Sequence, residues 1–366
     1  MQPFNRPDRE FWLGRRVLLT GHTGFKGSWL AFWLLELGAE ITGLALQPDP
    51  GPSLFNALNL SKRLNHRIGD IRDPVALGQA VEACRPEVVL HMAAQPLVRR
   101  SYNEPVLTWE TNVMGTIYLL EALRSLAQPC TAVLITTDKV YHNNEWFYGY
   151  REKDPLGGHD PYSSSKAAME LAISSWRSSY YGDLPHQTTH LRIASARAGN
   201  VIGGGDWAED RLLPDTIRAL AEGRPIAIRN PGASRPWQHV LEPLGGYLLL
   251  AERLAGTTEP GPLASAFNFG PKLEANRTVR ELVEESLRHW PGTWQDQSDA
   301  RSPHEASQLN LVLDKAHHLL GWAPRWPFAT TIERTVRWYW QVHEGNANAH
   351  TCCQDDLTHY LNCLPS

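Results

Sequence analysis

A glycine-rich segment near the N-terminus, TGHTGFKG at residues 20–27, constrains the fold more than any other part of the sequence. It follows an aliphatic strand pattern at 16–21 and opens a helical pattern at about 26–37. Glycines in this context permit a tight turn, a close approach of backbone to a pyrophosphate, and close packing of helix on strand. The helix N-terminus offers free N–H groups and a partial positive charge to an anion. The segment therefore predicts a dinucleotide-binding loop.

Strand and helix patterns alternate through the first two-thirds of the chain. Further strands are predicted at 41–46, 66–71, 87–94, 132–138 and 189–200, and further helices at 74–84, 105–127 and 161–181. Strands that are apolar on both faces and joined by helices predict an α/β fold with a Rossmann-type doubly wound parallel sheet. Ligands bind such sheets at the carboxyl ends of the strands.

The pattern changes after residue 200, where the chain becomes rich in Gly, Pro and Trp. Helices are predicted there at about 212–222, 242–255 and 277–289, with an apolar segment at 267–270. We therefore predict a Rossmann domain over residues 1–200. Residues 201–366 are expected to form a smaller, less regular substrate-binding lobe, from which segments can return to the first domain.

Composition excludes several classes of protein. The net charge is −4, from 35 basic and 39 acidic residues, and no basic run stands out, so a nucleic-acid ligand is not expected. The 5 cysteines have no metal-type spacing and the 15 histidines are scattered, so we predict neither a metal site nor structural disulfides. No signal pattern and no run of about 18 apolar residues occurs, which predicts a cytoplasmic protein without a membrane partner.

Tyr162 and Lys166 form a YxxxK pattern on a predicted helix. Residues i and i+4 share a helix face, so the phenol and the ammonium can reach one site. The positive charge is expected to lower the pKa of Tyr162 toward the range of a general base. A lone YxxxK pattern also occurs on solvated helices, but Thr137-Asp138-Lys139 ends the fifth predicted strand, where chemistry on this fold belongs.

The cofactor's identity is less directly encoded. NAD-preferring sites usually place an acid at the end of the second strand, but this chain has Leu46-Gln47-Pro48-Asp49 there. Asp49 either serves from a displaced position or is a turn residue. Because no Arg or Lys is present to accept a 2′-phosphate, we favour NAD over NADP. Asp70 either helps to read the adenine or belongs to a helix N-cap.

The order of several motifs resembles the extended short-chain dehydrogenase/reductase family, and more narrowly its nucleotide-sugar 4,6-dehydratases. These motifs are TGHTGFKG, GDI, HMAAQPLVRRSY, TNVMGT, TTDKVY, YSSSK and ARAGNVIGGGDWAEDRLLPD. The resemblance extends from about residue 11 to about 335. Features similar to the branch that acts on CDP-glucose are His22, Lys26, Lys139, GGGDW at 203–207 and PHEA at 303–306.

The resemblance implies NAD as cofactor and CDP-glucose as substrate. The implied cofactor-binding residues are Gly21, Thr23, Gly24, Phe25, Lys26, Gly27, Asp70, Ile71, Ala93, Ala94, Gln95, Asn112, Thr136, Tyr162 and Lys166. The implied substrate-binding residues are His22, Asn200, Arg211, Arg235, Gln238, His304 and Glu305. Arg211 and Arg235 suit two phosphates, with ordinary surface arginines as the alternative, and Glu305 would accept from the cytosine amine.

The resemblance also implies a catalytic set of five residues. Tyr162 would take the proton of the sugar 4-hydroxyl as hydride leaves C4, Thr137 would hydrogen-bond the 4-oxygen, and Lys166 would hold the ribose and tune Tyr162. Asp138 would protonate the departing 6-hydroxyl. Lys139 stands where related dTDP-glucose dehydratases have a glutamate. It is either the base at C5, a cation that stabilises the enolate, or a solvent-facing lysine.

Alternative functions remain open. They are another nucleotide-sugar dehydratase, a 4-epimerase, or a catalytically silent NAD-binding regulator. An epimerase needs no acid placed for the 6-hydroxyl, so Asp138-Lys139 argues against it, and a silent protein would be expected to lose Tyr162 or Lys166. The helices near 105–127 and 161–181 could form the interface of a homodimer or contribute to a tetramer, as the resemblance implies, or their apolar residues could instead face the sheet.

Overall fold

A seven-stranded sheet forms the centre of the protein in a computed structural model that describes residues 6–181, 190–208, 211–258, 261–298 and 309–363. The strands of the described ranges are β1 Arg16–Thr20, β2 Glu40–Ala45, β3 Asn65–Ile68, β4 Val88–His91, β5 Cys130–Ile135, β6 Leu191–Ala198, β7 Val201–Ile202, β8 Ile226–Ile228, β9 Ser234–Pro236, β10 Gln238–His239, β11 Ala266–Phe269, β12 Asn276–Thr278 and β13 Trp294–Asp296.

The central sheet has the strand order β11-β6-β5-β4-β1-β2-β3, and every neighbouring pair in it is parallel. The order reverses between β1 and β4, which is the switch point at which ligands bind in doubly wound sheets. The central strands β1, β4 and β5 are buried almost throughout. The predicted Rossmann-type fold is therefore confirmed.

Helices cover the sheet and build the rest of the molecule. In the described ranges they are α1 Arg9–Trp12, α2 Phe25–Glu36, α3 Leu54–Ala57, α4 Pro74–Cys84, α5 Val98–Asn103, α6 Pro105–Trp109, α7 Gly115–Arg124, α8 Pro161–Tyr180, α9 Leu212–Ala221, α10 Leu241–Gly256, α11 Val279–His289, α12 Asp314–Leu320, α13 Phe328–His343 and α14 Ala349–Asn362. Capping residues determine where several of these helices begin. Asp73 caps α4, Asp160 caps α8, and Thr278 with Glu281 forms a capping box at α11.

The helix predicted over 105–127 differs from the structure. Between α6 and α7, residues Glu110–Met114 form a π-helical turn. Such turns are rare and frequently lie at functional sites. Here the turn contains Asn112, a buried residue whose side chain bonds to the loop after β4 and to α8. A local helical pattern cannot reveal this change, because the bonds that accompany it come from distant parts of the chain.

Part of the chain after residue 200 contributes to the central sheet and to the core beside it. Ala266–Phe269, the predicted apolar segment, is β11 and pairs with β6 at the edge of the central sheet. The buried helix α10 packs against β5 and β6. One hydrophobic core runs from Trp12 through α2 to Tyr360 in α14. This core therefore contains residues from both sides of position 200, and the division into two domains stays a prediction.

Two further observations concern membrane-spanning helices and metal-binding groups. None of the helices in the described ranges is long and apolar enough to cross a membrane. Across those same ranges, no group of three or more His, Cys, Asp or Glu side chains is arranged to hold a metal ion.

Candidate active site

The glycine loop lies between β1 and α2 at the carboxyl edge of the sheet. Gly21 has φ +75°, and a Cβ there would stand 2.7 Å from the backbone nitrogen of Ala93, after β4. A Cβ on Gly27 would stand 2.0 Å from the carbonyl oxygen of Gly21. Gly24 is the N-cap of α2 and has no side chain to occupy the first N–H groups of the helix. The loop therefore fits a dinucleotide pyrophosphate at the start of α2.

The residues expected near the adenosine lie on the neighbouring strand ends. Thr23 donates from its hydroxyl to the carbonyl of Leu46 at 3.0 Å, while Gln47 and Asp49 are exposed. The Asp70 carboxylate accepts from Arg72, with a shortest distance of 2.6 Å to the guanidinium, and this partner lowers the pKa of Asp70. Asp70 is not the N-cap of the next helix, because Asp73 has that position.

A buried amide network joins the loop after β4 to the catalytic helix. Ala93 and Ala94 lead into Gln95, whose side-chain amide donates to Thr108 at 2.9 Å. Asn112 accepts from the backbone N–H of Gln95 at 2.9 Å and donates to the hydroxyl of Ser165 on α8 at 2.9 Å. Ile71 is buried beside this region. The network fixes the position of α8, and with it the two catalytic residues that the sequence predicted on that helix.

The residues after β5 meet the end of β6. Thr137 donates from its hydroxyl to Asp138 at 2.9 Å, and Lys139 donates to the same carboxylate oxygen at 3.2 Å. Lys139 also donates to the side-chain oxygen of Asn200 at 3.2 Å. A Cβ on Gly199 would stand 2.8 Å from Asp138, so glycine there leaves room for the carboxylate. The structure thus brings together four residues predicted from two distant motifs.

Tyr162 is buried at the start of α8 and faces this cluster. Burial raises the pKa of Tyr162 to about 12, while a hydrogen bond with Thr137 and the charge of Arg211 act in the lowering direction. Lys166, which was predicted to lower this pKa, is not among the groups that do so. The physical reason is the direction of the lysine, whose ammonium donates to the carbonyl of Ile135 at 3.3 Å.

Lys26 is a second buried lysine in the site. Its ammonium donates to the hydroxyl of Tyr247 on α10 at 3.1 Å. Burial, and then the charges of Lys166 and Arg211, lower the pKa of Lys26 to about 7, while Asp138 opposes this shift. The loop lysine therefore belongs to the same electrostatic cluster as the catalytic residues. Sequence reasoning missed Tyr247, because no local motif marks it and only the packing of α10 on the sheet brings it there.

His22, which was predicted from the sequence to bind substrate, points into the interior of the protein. Its side chain is fully buried, and its Nε2 atom lies 2.7 Å from Nδ1 of His66. The ring also packs edge-on against Phe55 of α3. Burial is the main cause that lowers the pKa of His22, to about 4. The imidazole points from the loop toward β2 and β3, so it packs the loop onto the sheet.

A cavity of about 290 Å³ lies beside the cluster, and its lining includes Phe147, Ser234, Pro236, Leu273, Asn276 and Asn310. A narrower cleft connects the same region to Asp138 and Gly199. Arg211 donates to Asp206 at 2.8 Å, and Arg235 lies on β9 and donates to the Ser234 carbonyl at 2.8 Å. The charge of Arg211 acts on Lys26 and Tyr162, while Arg235 stands between Ser234 and Pro236, which line the cavity.

The other three residues predicted to bind substrate are Gln238, His304 and Glu305. Gln238 is buried, donates to the carbonyl of Phe269 at 3.5 Å, and its Oε1 has no partner in the described ranges. His304 and Glu305 lie outside the described residues.

Similarity to known proteins agrees with the geometry of the site. The sequence profile of the GDP-mannose 4,6-dehydratase family matches residues 18–335. A CDP-glucose 4,6-dehydratase of Salmonella typhimurium is 45% identical, over 97% of this chain and 98% of the relative. A dTDP-glucose 4,6-dehydratase of Haemophilus influenzae is 26% identical, over 88% of this chain and 97% of the relative.

Solved structures share the fold. A dTDP-glucose 4,6-dehydratase of Streptomyces venezuelae, solved with NAD bound, has a TM-score of 0.75 and 26% identity, over 90% of this chain and 98% of that one. A UDP-glucose 4-epimerase of Thermotoga maritima is alike in fold, with a TM-score of 0.75 at 21% identity, over 89% of this chain and 99% of that one. The chain therefore belongs to the GDP-mannose 4,6-dehydratase family, as its resemblance to the nucleotide-sugar 4,6-dehydratases predicted.

Proposed function

We propose that the protein is a CDP-glucose 4,6-dehydratase, which converts CDP-glucose to CDP-4-keto-6-deoxyglucose with NAD as a recycled hydride carrier. The observation that carries this proposal is the contact of Asp138 with Lys139 and Thr137, beside Tyr162 and at a cleft that Asp138 lines. A 4-epimerase requires the tyrosine and the lysine of α8 but has no use for an acid at the sugar 6-hydroxyl.

The chain's residues divide the chemistry among them. NAD, when bound, supplies the hydride acceptor for C4 and the hydride donor for C6. Tyr162 takes the proton of the 4-hydroxyl, and Thr137 orients the phenol and the 4-oxygen. Lys166 holds the cofactor ribose from the same face of α8. Because the new 4-ketone acidifies the C5 proton, a base can take that proton while the 6-hydroxyl leaves as water with a proton from Asp138; a proton then returns to C5 as hydride returns to C6.

The choice of CDP-glucose rests on similarity. Identity to the CDP-glucose enzyme is 45%, against 26% for the dTDP-glucose enzyme of Haemophilus influenzae. Residues 201–366 would supply most of the nucleotide-sugar site, with Arg211 and Arg235 at the diphosphate and His304 and Glu305 at the cytosine. The cytoplasm stays the predicted compartment.

Incubation with CDP-glucose tests this function. We expect a product with the near-ultraviolet absorbance that 4-keto sugars develop in alkali, and much weaker signals from dTDP-glucose, UDP-glucose and GDP-mannose. Conversion of a UDP-sugar to its 4-epimer without this absorbance would favour the epimerase alternative. A strong signal from a different nucleotide alone would keep the dehydratase and overturn the choice of base.

We also propose that the protein forms a homodimer through α6, α8 and the π-helical turn between α6 and α7. These elements pack side by side. Their outer faces expose apolar side chains, with Val106 69% exposed, Leu171 61% and Trp109 42%. The apolar residues of α7, such as Leu119 and Leu123, are instead buried against the sheet.

Sedimentation of the wild-type protein should give twice the chain mass. A Trp109→Lys variant should shift the equilibrium toward monomer, because it places a charge in the apolar face. A wild-type monomer at micromolar concentration would contradict the proposed dimer.

A further inference from the structure

The segment GGGDW at residues 203–207 is held from two sides. From the side of the cofactor loop, the indole of Trp29 on α2 donates to the carbonyl of Gly204 at 2.9 Å. From the C-terminal side, the hydroxyl of Tyr339 on α13 donates to the carbonyl of Asp206 at 2.6 Å. A Cβ on Gly204 would stand 2.1 Å from the ring of Trp338, so glycine lets the segment pass close to α13. The 203–207 segment is therefore fixed between α2 and α13.

The same segment lies beside the candidate active site. It follows Asn200, whose side-chain oxygen accepts from Lys139 at 3.2 Å. A Cβ on Gly203 would stand 3.2 Å from the ring of Phe25, which belongs to the cofactor loop. A side chain that the 203–207 segment holds in place is therefore held close to both the cofactor loop and the catalytic residues.

Asp206 is a buried carboxylate in this segment and pairs with Arg211. Only 5% of the Asp206 side chain is exposed. Its Oδ2 atom accepts from Nη1 of Arg211 at 2.8 Å, and its Oδ1 atom accepts from the backbone N–H of Ala208 at 3.2 Å. A buried charge is costly unless an opposite charge compensates it. The pairing with Asp206 therefore restricts Arg211 to a small part of the space that its side chain could reach.

Arg211 remains accessible to a ligand although it is paired. Its side chain is 35% exposed. A guanidinium has five N–H donors in a planar fork, so the bond to Asp206 leaves donors that suit the oxygens of a phosphate. The charge of Arg211 also acts on Tyr162 and Lys26, in agreement with its place beside the active site.

We propose that Asp206 is a positioning residue that holds Arg211 in place for the diphosphate of the nucleotide sugar. The inference rests on the proposed function, in which Arg211 binds that diphosphate. A long side chain loses conformational entropy when a ligand orders it, and this loss weakens binding. Because Asp206 orders the guanidinium when the protein folds, the loss does not occur again when the substrate binds. Asp206 acts through Arg211 and not on the reacting atoms.

An Asp206→Asn variant tests the proposal through the affinity of the NAD-saturated protein for CDP, measured by titration calorimetry. Asparagine keeps the size of the side chain and an oxygen that can accept from Ala208, but it removes the charge that holds Arg211. We expect the Kd for CDP and the KM for CDP-glucose to rise roughly three- to tenfold, the range for ordering one long side chain. The kcat should stay within a factor of about two, because only binding is weakened.

Two comparisons separate positioning from general support of the fold. Asp215→Asn is the matched control, because Asp215 pairs with Arg218 on α9 and 49% of its side chain is exposed. It should leave the Kd for CDP within a factor of about two. Arg211→Gln should itself raise the Kd for CDP. Adding Asp206→Asn to it should have no further effect, because the side chain through which Asp206 acts is gone.

An equal rise of the Kd for CDP with and without Arg211 would mean that Asp206 only supports the 203–207 segment, and would overturn the proposal. An unchanged or lower Kd in Asp206→Asn would overturn it as well, since repulsion between Asp206 and the diphosphate would then match or exceed the effect of ordering.

If Asp206→Asn does not fold, a Tyr339→Phe variant provides the test, because it releases the carbonyl of Asp206 and loosens the 203–207 segment. Its Kd for CDP should rise when Arg211 is present and stay unchanged in the Arg211→Gln background; any other pattern would overturn the proposal. Failure of the wild-type protein to bind CDP and to form a 4-keto sugar would instead contradict the proposed function, before any variant is compared.

Discussion

Replacing Tyr162 by phenylalanine is expected to reduce turnover of CDP-glucose by about 10²–10⁴-fold, the usual contribution of a positioned proton-transfer group. Phenylalanine keeps the ring that packs at the start of α8 and removes only the hydroxyl. The nearby hydroxyl of Thr137 already donates to Asp138, so it is a poor replacement for Tyr162 as the base. The measurement is the initial rate of 4-keto sugar formation at saturating substrate.

Two further measurements separate the chemical effect from a structural one. Tyr180→Phe makes the same substitution at the other end of α8, where the ring is 38% exposed, and should leave turnover within a factor of about two, as expected of a surface change. The Tyr162→Phe protein should still bind NAD and CDP-glucose, because the hydroxyl serves the proton transfer and not the placement of either molecule. Turnover within tenfold of the wild type would remove Tyr162 from the role of base.

Lys139→Met is expected to lower turnover by about 10²–10³-fold, in the range observed when one group that stabilises developing negative charge is removed. Lys139 is 30% exposed and donates to both Asp138 and Asn200. An ammonium in these contacts acts as a fixed cation that stabilises the enolate and orients Asp138. The alternative role of Lys139 is that of the base that removes the C5 proton.

The pair Lys139→Met and Lys139→Arg decides between these roles. Arginine keeps the positive charge but cannot act as a base, because its guanidinium stays protonated. We expect Lys139→Arg to recover much of the turnover that Lys139→Met loses, together with exchange of the C5 proton in heavy water. If both variants lose C5 exchange equally, Lys139 is the base. If Lys139→Met exchanges as fast as the wild type, Lys139 has no part in the removal of that proton.

Much of the fold followed from local patterns. The glycine loop predicted the β1–loop–α2 unit, and the predicted helices at 74–84 and 161–181 match α4 and α8 within one residue. Such elements could be predicted because their signals are contained within the segment itself. The π-helical turn around Asn112 and the return of β11 to the central sheet carried no such signal, because each depends on partners far away in the chain.

The candidate site likewise combines features that local sequence predicts with features that depend on distant partners. The YxxxK spacing and Thr137-Asp138-Lys139 could be read from the chain, since spacing on a helix and position at a strand end are local properties. The burial of His22 against His66 could not be read from the chain, because a side chain in a glycine loop can point either to the ligand or to the sheet. Tyr247 could not be found either, because it reaches Lys26 only after α10 has packed across β5 and β6.

The sequence by itself determined the class of fold and the family, because periodicity, glycine spacing and motif order are encoded residue by residue along the chain. Only the tertiary structure decided which charges meet. It paired Lys139 with Asp138 and Asn200, turned Lys166 toward the Ile135 carbonyl, and enclosed Glu170 between Thr136, Ser195 and Arg197. Electrostatic interactions depend on distance and burial in three dimensions, and neither quantity can be read from the separation of two residues along the chain.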